Sequence, residues 1–381
     1  MSLRVEVQPA LLAWARERSG VPFEEVASKF PSLDEWESGR KQPTLKQLEK
    51  FATSMHAPIG YFFLTEPPEE SLPLPDFRTM GDEQIGRASP DLLDTVYLSQ
   101  QRQDWYRDYA RVNGEPRVDF VGSLSADLDI VEAAAQMNGV LSFGPSDRGS
   151  NWGEALSRLI EAADHLGILV MVSGVVGSNT HRKLDPREFR GFALADALAP
   201  VIFINGVDTK AAQIFTLAHE LAHIGLGESG VDDVDMSVQV NSATEQWCNE
   251  VAAEFLVPAE WLRDVVVGRD DITEDLERLA RRFKVSTLVV LRRFFDLGVL
   301  TFEQFREVYV EELDRVLAIM SSGGGGGNFY NTQPARVSKR FARAIIESTQ
   351  EGRTLYRDAF QMLGFKKLET FNELATRLGV G

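Results

Sequence analysis

Apolar residues recur with a helical period through the first 65 or so positions, and their spacing predicts short helices over Pro9 to Ser19, Pro22 to Lys29, Ser32 to Ser38 and Thr44 to Met55. Pro67, Pro68, Pro73 and Pro75 then alternate with Leu72, Leu74 and Phe77, which predicts an extended segment from Glu66 to Arg78. That segment reads either as a stiff linker or as a strip laid along the next domain. A long amphipathic helix is expected from Pro90 to Asn113, with shorter ones from Asp127 to Met137 and Trp152 to Leu166. The period then changes: Gly167 to Ser173, Phe189 to Ala195 and Val201 to Asn205 read as strands. The third strand leads into a helix from Thr209 to Leu226, ended by Gly225 or Gly227. Helices resume from Thr244 to about Ile319, and five glycines, Gly323 to Gly327, interrupt them. The expected fold class is α+β, mostly helical. Its parts are an N-terminal helical domain (1–65), an extended linker (66–89), a central domain with a small sheet (90–321), a glycine hinge (322–327) and a separate C-terminal helical unit (328–381).

The helix after the third strand carries His219-Glu220-Leu221-Ala222-His223, an H-E-x-x-H that sets two imidazoles one turn apart with a carboxylate beside them. This is zinc-hydrolase spacing, and the chain has only five histidines in which to produce it. Ile214, Phe215, Leu217, Ala218, Leu221, Ala222 and Ile224 surround the pair, so the helix should be largely buried. Catalytic zinc generally takes three protein ligands, so a third must come from elsewhere. The next helix offers Glu245, Glu250 and Glu254; Glu245 shares a face with Asn249, Ala252 and Ala253 and is the choice, with Glu250 second and a solvated face expected for the other two. Glu220 would be the general base. His56, His165 and His181 are isolated and read as surface or core residues, and Asp232, Asp233 and Asp235 as solvated charge.

Composition narrows the setting. No apolar run is long enough to span a membrane, the start of the chain lacks signal-peptide character, and a single cysteine, Cys248, permits no internal disulfide, so a cytoplasmic protein is expected. A net charge of -17 argues against a general nucleic-acid binder. Residues 322–381 depart from that acidity, with nine basic side chains against five acidic ones. Arg340, Arg343, Arg353 and Arg357 lie near helical spacing there, where an acidic partner or RNA could meet them.

The runs Glu188-Phe-Arg-Gly-Phe-Ala-Leu, Pro200 to Asn205, Gln213 to His223 and Glu245 to Pro258 resemble the ImmA/IrrE family of zinc metallopeptidases. The resemblance implies a zincin-like, gluzincin-type domain with zinc held by His219, His223 and Glu245, and Glu220 as the catalytic carboxylate. Trp14 to Gly20, Trp36 to Gly39 and Gln42 to Thr44 resemble the XRE, or lambda-repressor-like, helix-turn-helix. Together they imply a regulatory peptidase, often encoded beside toxin or repressor genes, that cleaves a cognate regulatory protein such as a repressor or antitoxin-like partner. The alternative is an antitoxin or transcription regulator that binds a partner toxin or DNA, with the peptidase fold as scaffold. DNA reading by the N-terminal helices is opposed by Asp34, Glu35 and Glu37 where a recognition helix would enter the groove, and by eight basic against nine acidic residues over 1–66. A partner-binding or homodimerising module is the competing expectation.

Overall fold

The computed structural model describes residues 4–70, 72–75, 88–232, 242–263, 272–322 and 335–380. They divide into two compact units, Met1–Pro73 with Gly86–Val96, and Leu74–Ile85 with Tyr97–Gly381. The five-glycine run predicted as a hinge lies outside the described residues. No helix among the described residues is long and apolar enough to cross a membrane.

The first unit is built from α1 (Pro9–Ser19), α2 (Phe23–Lys29), α3 (Leu33–Glu37) and α4 (Leu45–Ser54). Gly20 closes α1 in the left-handed region at φ 67°, and Thr44 and Gln47 open α4 with reciprocal capping bonds. Leu11, Leu12, Leu33, Trp36, Phe51 and Phe62 form its core, with Trp36 edge-on to Phe51 at 6.1 Å between ring centres. At five residues, α3 makes little more than one turn. Its acidic side chains are all engaged: Asp34 with Arg40, Glu35 with Lys41 at 2.7 Å, and Glu37 with Arg16 at 2.8 Å. Arg18 on α1 grips Glu70 and donates to the His56 carbonyl at 2.8 Å, which ties the start of the proline-rich passage to this unit.

The second unit contains α5 (Pro90–Asn113) from Tyr97 onward, then α6 (Ile130–Leu141), α7 (Trp152–Leu166), β1 (Leu169–Ser173), β2 (Gly191–Leu194), β3 (Val201–Asn205), α8 (Lys210–Leu226), β4 (Gly230–Asp232) and α9 (Ala243–Leu256). After these come α10 (Ala259–Arg263), α11 (Ile272–Phe283), α12 (Thr287–Asp296), α13 (Phe302–Ser322), α14 (Lys339–Gln350), α15 (Tyr356–Leu363) and α16 (Leu368–Leu378). The sheet order is β1-β3-β2-β4, with β1 parallel to β3 and β2 antiparallel to both β3 and β4. On one face Val170, Ala193, Ile202 and Ile204 share a core with Ile214, Leu217, Ala218 and Leu221 of α8. On the other, Phe192 stacks on Phe203 at 5.0 Å, and the Gln103 amide donates to the Leu194 and Ala199 carbonyls at 2.9 Å each. Burial of both faces explains why these strands read as continuous apolar runs.

The C-terminal helices, expected as a separate, tethered unit, pack within the second compact unit. Phe341 of α14 packs edge-on against Trp105 of α5 at 5.5 Å, Arg102 donates twice to the Met362 carbonyl at 2.8 and 3.0 Å, and Ser178 donates to the Gly364 carbonyl at 2.8 Å. Of the four arginines expected on a basic face, the same packing draws in Arg340, while Arg343, Arg353 and Arg357 lie nearer the surface. Arg340 points inward to the Tyr106 hydroxyl at 2.7 Å and Glu115 at 2.9 Å, Arg353 pairs with Glu351, and Arg357 with Asp358 at 3.0 Å. Sequence spacing put these arginines on a common bearing, but apolar residues such as Phe341 and Ile345 decide which side of α14 is buried.

Candidate metal centre

The site grows out of α8. Thr209 opens the helix by accepting from the Ala212 N–H at 3.2 Å, and Gly227, at φ 78°, closes it in the left-handed region; Gly225 lies inside the helix instead. Every residue from Gln213 to Gly225 is buried, because α7, α9 and the sheet cover the helix on successive sides. His219 and His223 therefore have no choice but to project into protein.

The second contribution comes from the first turn of α9. Ser242 caps that helix, and an acidic residue in its first turn is stabilised by the exposed N–H groups and the helix dipole. Glu245 stands there and lies against both histidines. Its two carboxylate oxygens are 3.3 Å from His219 Nε2 and 3.1 Å from His223 Nε2, and the two Nε2 atoms are 3.1 Å apart. His219, Glu220 and His223 are 0 % exposed and Glu245 is 3 % exposed. Burial pushes the Glu245 carboxyl up, but hydrogen bonds from His219 and His223 outweigh it and hold the group well below the usual carboxylate range.

These distances pose an electrostatic problem that a cation solves. In the tautomer whose other nitrogen carries the proton, each imidazole presents a lone pair at Nε2, and two lone pairs and a carboxylate would then converge on one small space. Repulsion among them in a buried setting is relieved by a proton or by a metal ion. Zinc bonds of about 2.0–2.2 Å in tetrahedral array place neighbouring ligand atoms roughly 3.4 Å apart, and the observed edges fall close to that. Among the described residues, His219, His223 and Glu245 are the group able to hold a metal, and nitrogen and carboxylate donors in that ratio suit zinc.

The other candidates drawn from the sequence separate cleanly. Glu250 accepts from Gln246 at 2.9 Å, away from the cluster. Glu254 was expected on a solvated face, yet it is buried, paired with Arg293 and accepting from the Ala259 N–H at 3.1 Å. His165 ends α7, His181 sits in a turn capped by Asn179, and His56 belongs to the first unit. Asp232 forms the end of β4, a strand that sequence patterning missed because it is three residues long; Asp233 and Asp235 lie outside the described residues. Cys248 is fully buried in the core around α8. At the outer edge of β4 the Val231 N–H donates to the Pro75 carbonyl at 3.0 Å. Pro75 thus meets the edge of the sheet, and residues 76–78 of the passage lie outside the described residues.

Two features of the site went unread in the sequence. Gly191 on β2 faces the Glu220 carboxylate, and Arg148 binds the carbonyls of Phe255 and Leu256 that end α9. The first left a signal, since glycine inside a strand marks close approach of another group. The second left none.

Residues 163–295 match the IrrE N-terminal-like domain family, and residues 337–377 match a family described as a domain of unknown function (DUF8813). Over 96 residues the chain is 35% identical to the Radiation response metalloprotease IrrE of Deinococcus deserti, a stretch covering 24% of this chain and 34% of that protein. The chain thus spans about a third of the length of the curated relative it matches.

Proposed function

We propose that the chain, which matches the IrrE N-terminal-like family over residues 163–295, is a zinc-dependent endopeptidase of the ImmA/IrrE kind that cleaves a cognate regulatory protein, a repressor or an antitoxin-like partner. The observation that carries the proposal is the buried convergence of His219, His223 and Glu245 beside Glu220. When bound, zinc would supply a Lewis acid that polarises the scissile carbonyl and makes water a better nucleophile at neutral pH. Glu220 takes the proton as the water oxygen attacks the carbonyl carbon. It returns that proton to the amide nitrogen as the C–N bond breaks, so the carboxylate ends as it began. Its burial keeps bulk water from competing for the proton. The name of the relative in Deinococcus deserti, a radiation response metalloprotease, supports a regulatory rather than a digestive role.

Glu220→Gln tests the proposal. Zinc content and fold should stay, and cleavage of the partner should fall by about 10²–10⁴-fold. Unchanged biological activity in that variant would leave the enzyme reading without support and favour a binding protein built on a peptidase scaffold. For that second reading, Arg340 is held within the fold, while Arg343 and Arg357 remain at the surface.

For the first unit we propose a partner-binding or dimerising role instead of DNA reading. A five-residue α3 with every carboxylate paired offers a duplex neither length nor positive charge. Sequence-selective promoter binding by the full chain at physiological salt would overturn this.

A further inference from the structure

Gly191 stands at the start of the buried strand β2, opposite Ile204 of β3 and Asp232 of β4. Its backbone is not in the left-handed region, unlike that of Gly227. Any L-residue could adopt the same strand conformation, so conformational freedom does not explain a glycine here. Space does. A Cβ at this position would lie 2.6 Å from Thr216 Cγ2, 2.8 Å from Glu220 Oε1 and 3.0 Å from the Phe203 carbonyl oxygen.

Thr216 and Glu220 are one turn apart on α8 and both are buried, so they stand side by side over the strand. The volume that a methyl group would fill at position 191 is the volume against which the Glu220 carboxylate rests. Retreat of the helix is blocked, since Leu217 and Leu221 are fully buried in the core shared with the sheet and the helices around it. Retreat of the strand is blocked by its pairing on both edges. Of the three neighbours, the carboxylate is at the end of a flexible side chain and is the one that would move.

We infer that Gly191 is a positioning residue for Glu220: its bare backbone forms the wall that fixes the carboxylate where the proposed peptidase reaction needs it. The inference rests on the reading of Glu220 as general base. It predicts a specific pattern of coupling, because a methyl group at 191 has two side-chain contacts and only one of them touches the chemistry.

The experiment separates those contacts in the full-length protein. Thr216→Ser removes the Cγ2 that a new methyl would strike, so Gly191→Ala is made in that background, where it retains the best chance to fold. Thermal midpoints are measured with metal removed by chelator for Thr216→Ser, Gly191→Ala/Thr216→Ser, and the same two carrying Glu220→Ala. Gly191→Ala should lower the midpoint, and Glu220→Ala should give back a clear part of that loss. An equal loss with and without the Glu220 side chain, or no loss at all, overturns the contact. With zinc restored, Gly191→Ala/Thr216→Ser should bind as much metal as Thr216→Ser, keep its KM, and lose about a hundredfold in kcat, the penalty of a catalytic group displaced by about 1 Å. A kcat within twofold of Thr216→Ser overturns the positioning role. Should the parent chain cleave nothing while the chelated proteins still show the coupling, the contact stands and the peptidase reading falls.

Discussion

Arg148 and the His219, His223 and Glu245 cluster are both shut away from water in the second unit, and they meet the cost of that burial by different means. Arg148 donates to four backbone carbonyls, those of Phe143, Phe255, Leu256 and Phe283, at 2.6–3.3 Å, and lies over the Phe143 ring at 4.8 Å. Burial pushes its guanidinium down to about 9, with Asp147 opposing, so it remains a cation at neutral pH. Every contact pairs a donor with an acceptor, and the chain itself supplies both. At the histidine cluster, two imidazole nitrogens and a carboxylate crowd within 3.1–3.3 Å of one another, and the proton each Nε2 carries depends on its tautomer. A buried polar cluster whose donors and acceptors match is architecture, whereas one whose donor set suits a cation is a candidate site.

The sharpest way to test that distinction is to remove one member of each cluster. Glu245→Ala should cut zinc affinity by more than about a hundredfold, since even partners outside the ligand set are worth 10–100-fold. Elemental analysis of wild type and variant side by side would show it. Near one zinc per chain in the wild type and little in the variant would support the ligand assignment, and equal content in both would remove Glu245 from it. The apo variant also loses a carboxylate that hydrogen bonds from both histidines hold in its charged form, so some loss of stability should accompany the loss of zinc.

Arg148→Met should behave in the reverse sense. It strands four carbonyls, two of them the last of α9, and should cost about 2–4 kcal/mol in urea unfolding while leaving zinc content as it was. Loss of zinc along with stability would break the comparison. It would mean that the clip at the C-terminal end of α9 also holds Glu245 in place at the other end of the helix.

The same contrast explains what the sequence disclosed. His219 and His223 were legible because both lie on one helix at fixed spacing, and Glu245 because the face it shares with Ala252 and Ala253 had to pack on that helix. Strands β1 to β3 were legible from their apolar runs, while β4 was too short to carry a period. Arg148 could not be read at all. Its partners lie 5 to 135 positions away and all are backbone carbonyls, which carry no residue identity. In the C-terminal helices, Glu351 and Asp358 stand beside their arginines in the sequence itself, but the pairing of Arg340 with Glu115, 225 positions away, is a property of packing. Gly323 to Gly327 suggested a boundary, and a glycine-rich connection does not by itself prevent the helices after it from docking on the domain before it.

Asp208 supplies an intermediate case, and the smallest effect. It is 8 % exposed, just before α8; Oδ1 accepts from the Thr209 N–H at 2.8 Å, and Arg190 stands 3.7 Å from Oδ2. Among the described residues Oδ2 has no hydrogen-bond partner, so this group is neither completed by the chain, as Arg148 is, nor part of the metal cluster. Burial pushes its carboxyl above the ordinary value, and Arg190 and the Thr209 N–H only partly oppose that. A carboxyl whose folded pKa is raised adds stability while protonated, and that contribution is lost as pH rises through the folded value. Asp208→Asn keeps an acceptor for Thr209 and never ionises. Its stability relative to wild type should therefore grow as pH rises from about 4 toward neutrality, by less than about 1 kcal/mol. Urea unfolding at several pH values would show the widening gap. A wild type that is the more stable at neutral pH would mean that the Arg190 pair outweighs burial, and would move Asp208 to the side of the residues whose polar demands the chain has met.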